Sequence, residues 1–206
     1  MKPVLITLLV SFFFWLLLFF PPLAPLTPFW PMMTVSVMIL SGWTLWIRRR
    51  DVPGFLSFTV HHIWWGIFTA MVLYGIFWAG KELISRIFIQ STYFIQSVYQ
   101  TKQNTSPWMT TMLLLCIIGP GEEIFWRGYI QHSLMRAWGR RKGYIVAVIL
   151  YALVHIWALN PLLIVAALLC GFLWGGLYLR FRSLWPAIIS HAVWDVMIFV
   201  VLPLAP

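Results

Sequence analysis

The sequence predicts an all-α fold: a polytopic membrane helical bundle of about seven transmembrane helices plus one interfacial amphipathic helix. Three observations carry that prediction. Of the 206 residues, 62% are hydrophobic and only 9% are charged, whereas a soluble domain is roughly half apolar and a quarter charged. Apolar runs of spanning length alternate with short turns rich in Pro, Gly and Arg. The formal charge of +9 is gathered in clusters between those runs, as charges flanking membrane spans are, and no basic face interleaved with aromatics exists for nucleic acid. Membrane lipid is therefore the expected surrounding partner and nucleic acid is not. The polar stretches are too short for a separate soluble domain, so residues 1–206 are read as a single integral-membrane domain.

Taken in order, Val4 to Phe20 is an unbroken apolar run behind Lys2, ended by Pro21, Pro22 and Pro25. It exceeds the usual ~7 to 15 residue core of a secretory leader and no small-x-small cleavage site follows, so it is read as a retained first span. Phe29 to Ile47 forms a second span, stopped by Arg48, Arg49, Arg50 and Asp51 and then Pro53-Gly54. Phe55 to Ala79 is a third, with His61 and His62 in its first half; no acid or third ligand stands at helical spacing from them, so they are read as partners of backbone or interfacial groups. Lys81 to Asn104 mixes Leu83, Ile84, Ile87, Phe88, Tyr93, Phe94 and Val98 with polar residues, which suits a helix lying on the membrane surface.

Ser106-Pro107 opens the fourth span, an N-cap residue ahead of proline at the first helical position. Gly119-Pro120-Gly121 then predicts a kink or restart, because proline removes a backbone donor and glycine relaxes the chain. A restart would put Glu122 and Glu123 in the first turn of a helix continuing to about Trp138. Tyr144 to Leu159 is a short fifth span carrying His155, ended by Asn160-Pro161. Leu162 to Leu179 is a sixth, whose Gly171, Gly175 and Gly176 permit close helix contact. Leu184 to Leu202 is the seventh and carries His191 and Asp195. The two cysteines, Cys116 and Cys170, lie far apart without CxxC spacing and imply neither a disulfide framework nor a zinc site.

With the N-terminus cytoplasmic, the inner side receives Lys2, Arg48 to Arg50, Arg136, Arg140, Arg141, Lys142, Arg180 and Arg182. The outer side receives Lys81, Arg86 and Lys102. That bias matches the positive-inside rule and places the C-terminus outside. The short loops suit a prokaryotic plasma membrane. Only Arg127 is left as a basic residue within a span.

Five Asp and Glu exist in the whole chain, and Glu122 and Glu123 stand together inside an apolar run. At ~1.5 Å per residue, Glu122 lies about 20 Å in from the outer end of its span, and His155, His191 and Asp195 lie roughly 10 to 16 Å in from the inner ends of theirs. These separated polar positions converge on one layer. Ionisable groups at such depth are costly and usually functional. Glu123 and Arg127 are four apart and can pair on one helix face, with Glu122 offset by about 100°; His191 and Asp195 repeat the four-residue spacing. The arginine divides the two glutamates into unequal roles, leaving one carboxylate to act as general base on a water, helped or oriented by a histidine. The other histidine and Asp195 are placed to steady charge on a tetrahedral intermediate or its leaving group. Two non-hydrolytic readings stand beside this one: a membrane scaffold or immunity-type protein retaining an inert polar core, and a proton-coupled transporter. Two histidines, three carboxylates and an arginine at one depth exceed what a packing latch needs.

Glu122-Glu123-x-x-x-Arg127, Tyr151-x-x-x-His155 and His191-x-x-x-Asp195 together resemble the three motifs of the CPBP family, the CAAX prenyl proteases and bacteriocin-processing enzymes, also called Abi or glutamic-type intramembrane proteases. The resemblance covers roughly residues 108–202. It implies an intramembrane endopeptidase with a helical catalytic cavity reached from the cytosol and a protein or peptide substrate, prenylated or membrane-anchored in some members. It also implies that Glu122 activates water with help from His155, that Glu123 and Arg127 support it, and that His191 and Asp195 form the oxyanion pocket. Tyr151 stands where the second motif commonly has Phe. Asp195 stands where prenyl-protein proteases typically have Asn; an ionised Asp cannot donate to an oxyanion, so it is protonated, orients His191, or binds a metal. The glutamate mechanism requires no cofactor. Zinc is the alternative the family also suggests, with Glu122, His155 and His191 as the set.

Overall fold

Residues 2–100 and 105–204 are described by the structure, a computed structural model. Every regular element among them is helical. They are α1 (Lys2–Phe19), α2 (Phe29–Ile47), the single turn α3 (Val52–Phe55), α4 (Val60–Ile87) and α5 (Ser91–Tyr99), followed by α6 (Pro107–Trp138), α7 (Arg140–Ala158), α8 (Pro161–Phe181) and α9 (Trp185–Val201). Six of them, α1, α2, α4, α6, α7 and α8, are long and apolar enough to cross a membrane. The expected seventh span is the shorter apolar helix α9, about 25 Å long at ~1.5 Å per residue.

Local chemistry sets most of the boundaries. Ser106 caps α6 by accepting the Met109 N–H at 3.2 Å ahead of Pro107, and Asn160 caps α8 by accepting the Leu163 N–H at 3.1 Å ahead of Pro161. Gly139, at φ +82°, separates α6 from α7 in a conformation that suits glycine. His62 accepts a hydrogen bond from the Thr59 backbone N–H at 3.2 Å, the backbone partnership expected of it.

Three expectations are corrected. The third span starts at Val60 instead of Phe55, because Val52-Pro53-Gly54-Phe55 closes into its own turn. At its other end it runs to Ile87, absorbing the first part of the predicted surface segment: no proline follows Ala79, the single Gly80 is tolerated, and Lys, Glu, Leu and Arg favour helix. At ~1.5 Å per residue α4 is about 42 Å long, more than the ~30 Å hydrocarbon layer needs, so Lys81, Glu82 and Arg86 emerge beyond it. The surface helix is reduced to Ser91–Tyr99; the predicted continuation from residue 101 through Asn104, with Lys102, lies outside the described residues.

The third correction concerns Gly119-Pro120-Gly121. The chain does not leave the helix, and α6 runs through the tripeptide with helical backbone angles at Ile118 and Gly119; regular α-helix is interrupted over Leu114–Ile118 and resumes at Gly119 with Glu122 in its first turn. A π-helical turn over Leu114–Ile118 immediately precedes the proline; widening the ladder there accommodates the missing donor without breaking the helix. The glycines serve packing. A Cβ at Gly121 would collide with Val37 Cγ1 of α2, and one at Gly119 would meet Ala192 of α9 at 3.2 to 3.3 Å. Helix α6 is thus held between α2 and α9 at a separation only glycine allows, with the glutamates mid-helix. The glycines of α8 act as expected: a Cβ at Gly171 would meet the Tyr151 ring at 3.0 Å, and one at Gly175 would meet Gln131 at 2.8 Å and Tyr144 at 2.9 Å.

The main apolar cluster of the core contains residues from Val4 to Leu204, with Trp15, Trp126 and Trp174 among its most enclosed members, and two smaller clusters form around Phe55 and Leu184 and around Met135 and Tyr144. Helix α5 crosses the ends of α8 and α9, where Asn160 Nδ2 donates to the Phe94 carbonyl at 2.8 Å and the Tyr99 hydroxyl to the Ile198 carbonyl at 2.9 Å. At the opposite end of the bundle, buried Arg48 donates to the Gly128 carbonyl and pairs with Asp51 at 3.2 Å, tying the end of α2 to α6.

Candidate active site

Glu122, Glu123 and Arg127 come from the middle of α6, His155 from the 3-10 turn Val154–Ala158 that ends α7, and His191 and Asp195 from α9. All six are buried. The four-residue spacings do what helix geometry requires: Arg127 Nη1 donates to Glu123 Oε1 at 2.9 Å, and His191 Nε2 lies 3.4 Å from Asp195 Oδ2.

Glu123 is the hub. Its side chain has no solvent exposure, and the same Oε1 also lies 2.8 Å from His191 Nδ1, so one carboxylate oxygen joins α6 to α9. Both nitrogens of His191 therefore face carboxylates. A neutral imidazole donates from one nitrogen only; the hydrogen bond is the one from Nδ1 to Glu123, and the Nε2 to Asp195 approach is the longer of the two contacts. Aromatic rings complete the surroundings. The guanidinium carbon of Arg127 lies 4.4 Å from the centre of the Tyr151 ring and 5.5 Å from that of Trp174. The His191 ring stacks on Trp174 with centroids 3.7 Å apart and planes 14° from parallel, and Trp174 is itself fixed by donating to Ser190 Oγ at 3.1 Å.

Glu122 is held differently. Its side-chain hydrogen bond among the described residues comes from the Tyr151 hydroxyl, to Oε2 at 3.3 Å. Tyr151 is also the link to His155, whose Nδ1 lies 2.9 Å from the Tyr151 carbonyl. A carbonyl only accepts, so Nδ1 carries the proton and Nε2 is the acceptor; Trp15 Nε1 donates to it at 3.2 Å. The His155 ring also packs against Phe19, with centroids 5.6 Å apart.

The structure brings Glu123, Arg127, His191 and Asp195 into direct contact. Glu122 and His155 are joined to each other through Tyr151, with no direct hydrogen bond between them. The candidate zinc set does not fit this arrangement: His155 has both nitrogens occupied, His191 turns both of its nitrogens to carboxylates, and no group of three or more His, Cys, Asp or Glu among the described residues is placed to hold a metal. Three participants were not singled out from the sequence as site residues: Tyr151, Trp174 and Trp15. Tyr151 carried a signal, being the aromatic of the second motif with an added hydroxyl. Trp15 and Trp174 carried none, since each is one of 14 tryptophans and helical spacing does not connect either to a motif.

Against this geometry the comparisons are specific. Residues 104–197 match the family model described as type II CAAX prenyl endopeptidase Rce1-like. No curated protein and no solved structure matches the chain. The matched stretch contains all six candidate residues, while α1 to α5, which supply Trp15 and Phe19, precede it. The chain is an integral membrane protein whose residues 104–197 are similar to the Rce1-like type II CAAX prenyl endopeptidases of the CPBP family.

Proposed function

We propose that this protein is an intramembrane endopeptidase that hydrolyses a peptide bond near the cytoplasmic face, with Glu122 as the general base on the attacking water. The observation that carries the assignment is the unequal holding of the two glutamates. Glu123 Oε1 faces both Arg127 and His191, so its charge is compensated and its position fixed, while its Oε2, without a partner among the described residues, is sealed from water, the side chain being 0% exposed. Glu122, with one long hydrogen bond from Tyr151, keeps acceptor capacity for a water.

In the reaction, a water bound at Glu122 attacks the carbonyl carbon of the scissile bond and its proton passes to the Glu122 carboxylate. The carbonyl oxygen becomes an oxyanion facing the His191 and Asp195 pocket, where a proton donated from that pair compensates the developing charge. Collapse breaks the C–N bond, and Glu122 returns the proton to the leaving amine. Arg127 and Glu123 hold the helix face and His191 in register. His155 assists through Tyr151: its Nδ1–H fixes the Tyr151 carbonyl, and the Tyr151 hydroxyl in turn orients Glu122. No metal ion takes part in this reading.

The substrate class follows from the family, whose name specifies prenyl endopeptidase action: a protein or peptide, prenylated or otherwise membrane-anchored, delivered from the cytoplasmic side. The basic clusters at Arg48 to Arg50, Arg136 to Lys142 and Arg180 to Arg182 support that side by the positive-inside rule, with the N-terminus cytoplasmic and the C-terminus outside, and the short loops suit a prokaryotic plasma membrane.

The test uses the full chain in liposomes with two internally quenched peptides, one carrying a farnesylated cysteine three residues before its C-terminus and one without the lipid. Wild type is expected to cleave the farnesylated peptide. Glu122→Gln is expected to abolish cleavage while inserting and folding normally. Full activity in Glu122→Gln sinks the assignment; cleavage of both peptides alike restricts the claim to proteolysis without prenyl selectivity.

A further inference from the structure

We infer that Trp15, on the first helix and outside the family-matched stretch, is a positioning residue of the site, acting through His155. This rests on the reading of Glu122 as base and names a residue that supports it.

Trp15 is 1% exposed, and its indole has one donor and no acceptor. That donor is spent on His155 Nε2, 140 residues away in sequence, at 3.2 Å. A neutral histidine has one acceptor lone pair, so the bond fills the remaining polar capacity of the ring and excludes the tautomer with the proton on Nε2. Nδ1–H is thereby committed to the Tyr151 carbonyl at 2.9 Å. The rings agree with the bond: the Trp15 and His155 planes meet at 85° with centroids 6.1 Å apart, and the other edge of the Trp15 environment is Trp126, at 89° and 6.2 Å. The indole is wedged between the residue preceding Arg127 and His155. A rotation of the imidazole about its bond to the chain would require Trp15 to move. From Trp15 a chain of donors runs to the base: indole N–H to His155, His155 N–H to the Tyr151 carbonyl, Tyr151 O–H to Glu122. Other tryptophan N–H groups near the site, Trp126 and Trp194, have no partner among the described residues, so a partnered indole is not the automatic result of burial here.

Two variants separate the hydrogen bond from the packing. Benzothienylalanine in place of Trp15 keeps the bicyclic shape and removes only the N–H; Trp15→Phe removes the N–H and part of the ring. Both are studied as the full chain in liposomes with the farnesylated peptide as probe, together with ¹⁵N spectra of histidine-labelled protein in which the His155 signals are identified by His155→Gln. In wild type, His155 is expected to show a protonated Nδ1 and an Nε2 that accepts a hydrogen bond. In the benzothienylalanine protein, the Nε2 signal is expected to move to that of a free lone pair, and kcat to fall about 10-fold with KM within about 2-fold, the effect of leaving one buried acceptor unsatisfied. Trp15→Phe should lose at least as much. Unchanged His155 signals, or a wild-type kcat in the benzothienylalanine protein, overturns the inference. A raised kcat overturns it too, because the indole would then be blocking Nε2. An active Glu122→Gln protein in the same assay is a different failure, that of the base assignment.

Discussion

Replacing Arg127 by methionine tests whether the buried charges at the centre of the site are held by one another. Arg127 is 2% exposed and Glu123 is 0%, so the substitution leaves a carboxylate in an apolar interior facing only His191. Breaking such a pair from one side costs about 3–5 kcal/mol; of this, roughly 0.5–2 kcal/mol is the guanidinium contact with the Tyr151 ring at 4.4 Å. The double variant Glu123→Met/Arg127→Met removes the orphaned charge as well. What remains unsatisfied is His191 Nδ1, worth about 1–3 kcal/mol, so the double variant is expected to be about 2 kcal/mol more stable than the single. The measurement is reversible unfolding in mixed micelles by titration with a denaturing detergent, read as a double-mutant cycle. Peptide cleavage should be lost in both variants, which separates their shared catalytic defect from their different stabilities. The reasoning is refuted if Arg127→Met lies within about 1 kcal/mol of wild type, or if the double variant is no more stable than the single.

Further outcomes follow from individual contacts. Tyr151→Phe keeps the ring over Arg127 and loses only the 3.3 Å hydroxyl contact to Glu122; kcat should drop roughly 3- to 10-fold with unchanged thermal stability, and a loss beyond about 100-fold would mean that the hydroxyl takes part in chemistry. Asp195→Asn replaces an acceptor with a side chain that can also donate, so cleavage should persist within about 10-fold of wild type; complete loss would assign the Asp195 charge an essential part. Chelation with 1,10-phenanthroline should leave the rate unchanged and metal analysis should find substoichiometric zinc; abolished activity restored by zinc would require the ligand set to assemble from a different arrangement of Glu122, His155 and His191.

Composition made the bundle legible, because a chain so apolar has few ways to satisfy its backbone within lipid other than helices. The four-residue pairs within α6 and α9 were legible for a similar reason: helical spacing places Glu123 beside Arg127 and His191 beside Asp195 wherever those helices lie. What spacing does not carry is the angle between helices. It therefore grouped Glu122 with His155 by depth, while the folded chain interposes Tyr151. It also took Gly119 and Gly121 for points of backbone weakness, when their partners, Val37 and Ala192, are fixed only by tertiary packing. The extent of α4 was misjudged because charged residues were taken to leave the helix at the membrane edge, whereas a helix longer than the layer simply carries them past it.

The collision that a Cβ at Gly121 would make with Val37 has a consequence for how such proteins diverge. The two positions share one volume, and a methyl gained on α6 has to be surrendered on α2. Among descendants of this sequence, alanine at position 121 should be accompanied by a smaller residue at 37, and a library varying both together should recover folded proteins that variation at either position alone does not. The early helices, which the family match leaves out, are in this sense bound to the site by inheritance: their side chains can drift only in step with the helix that carries the glutamates.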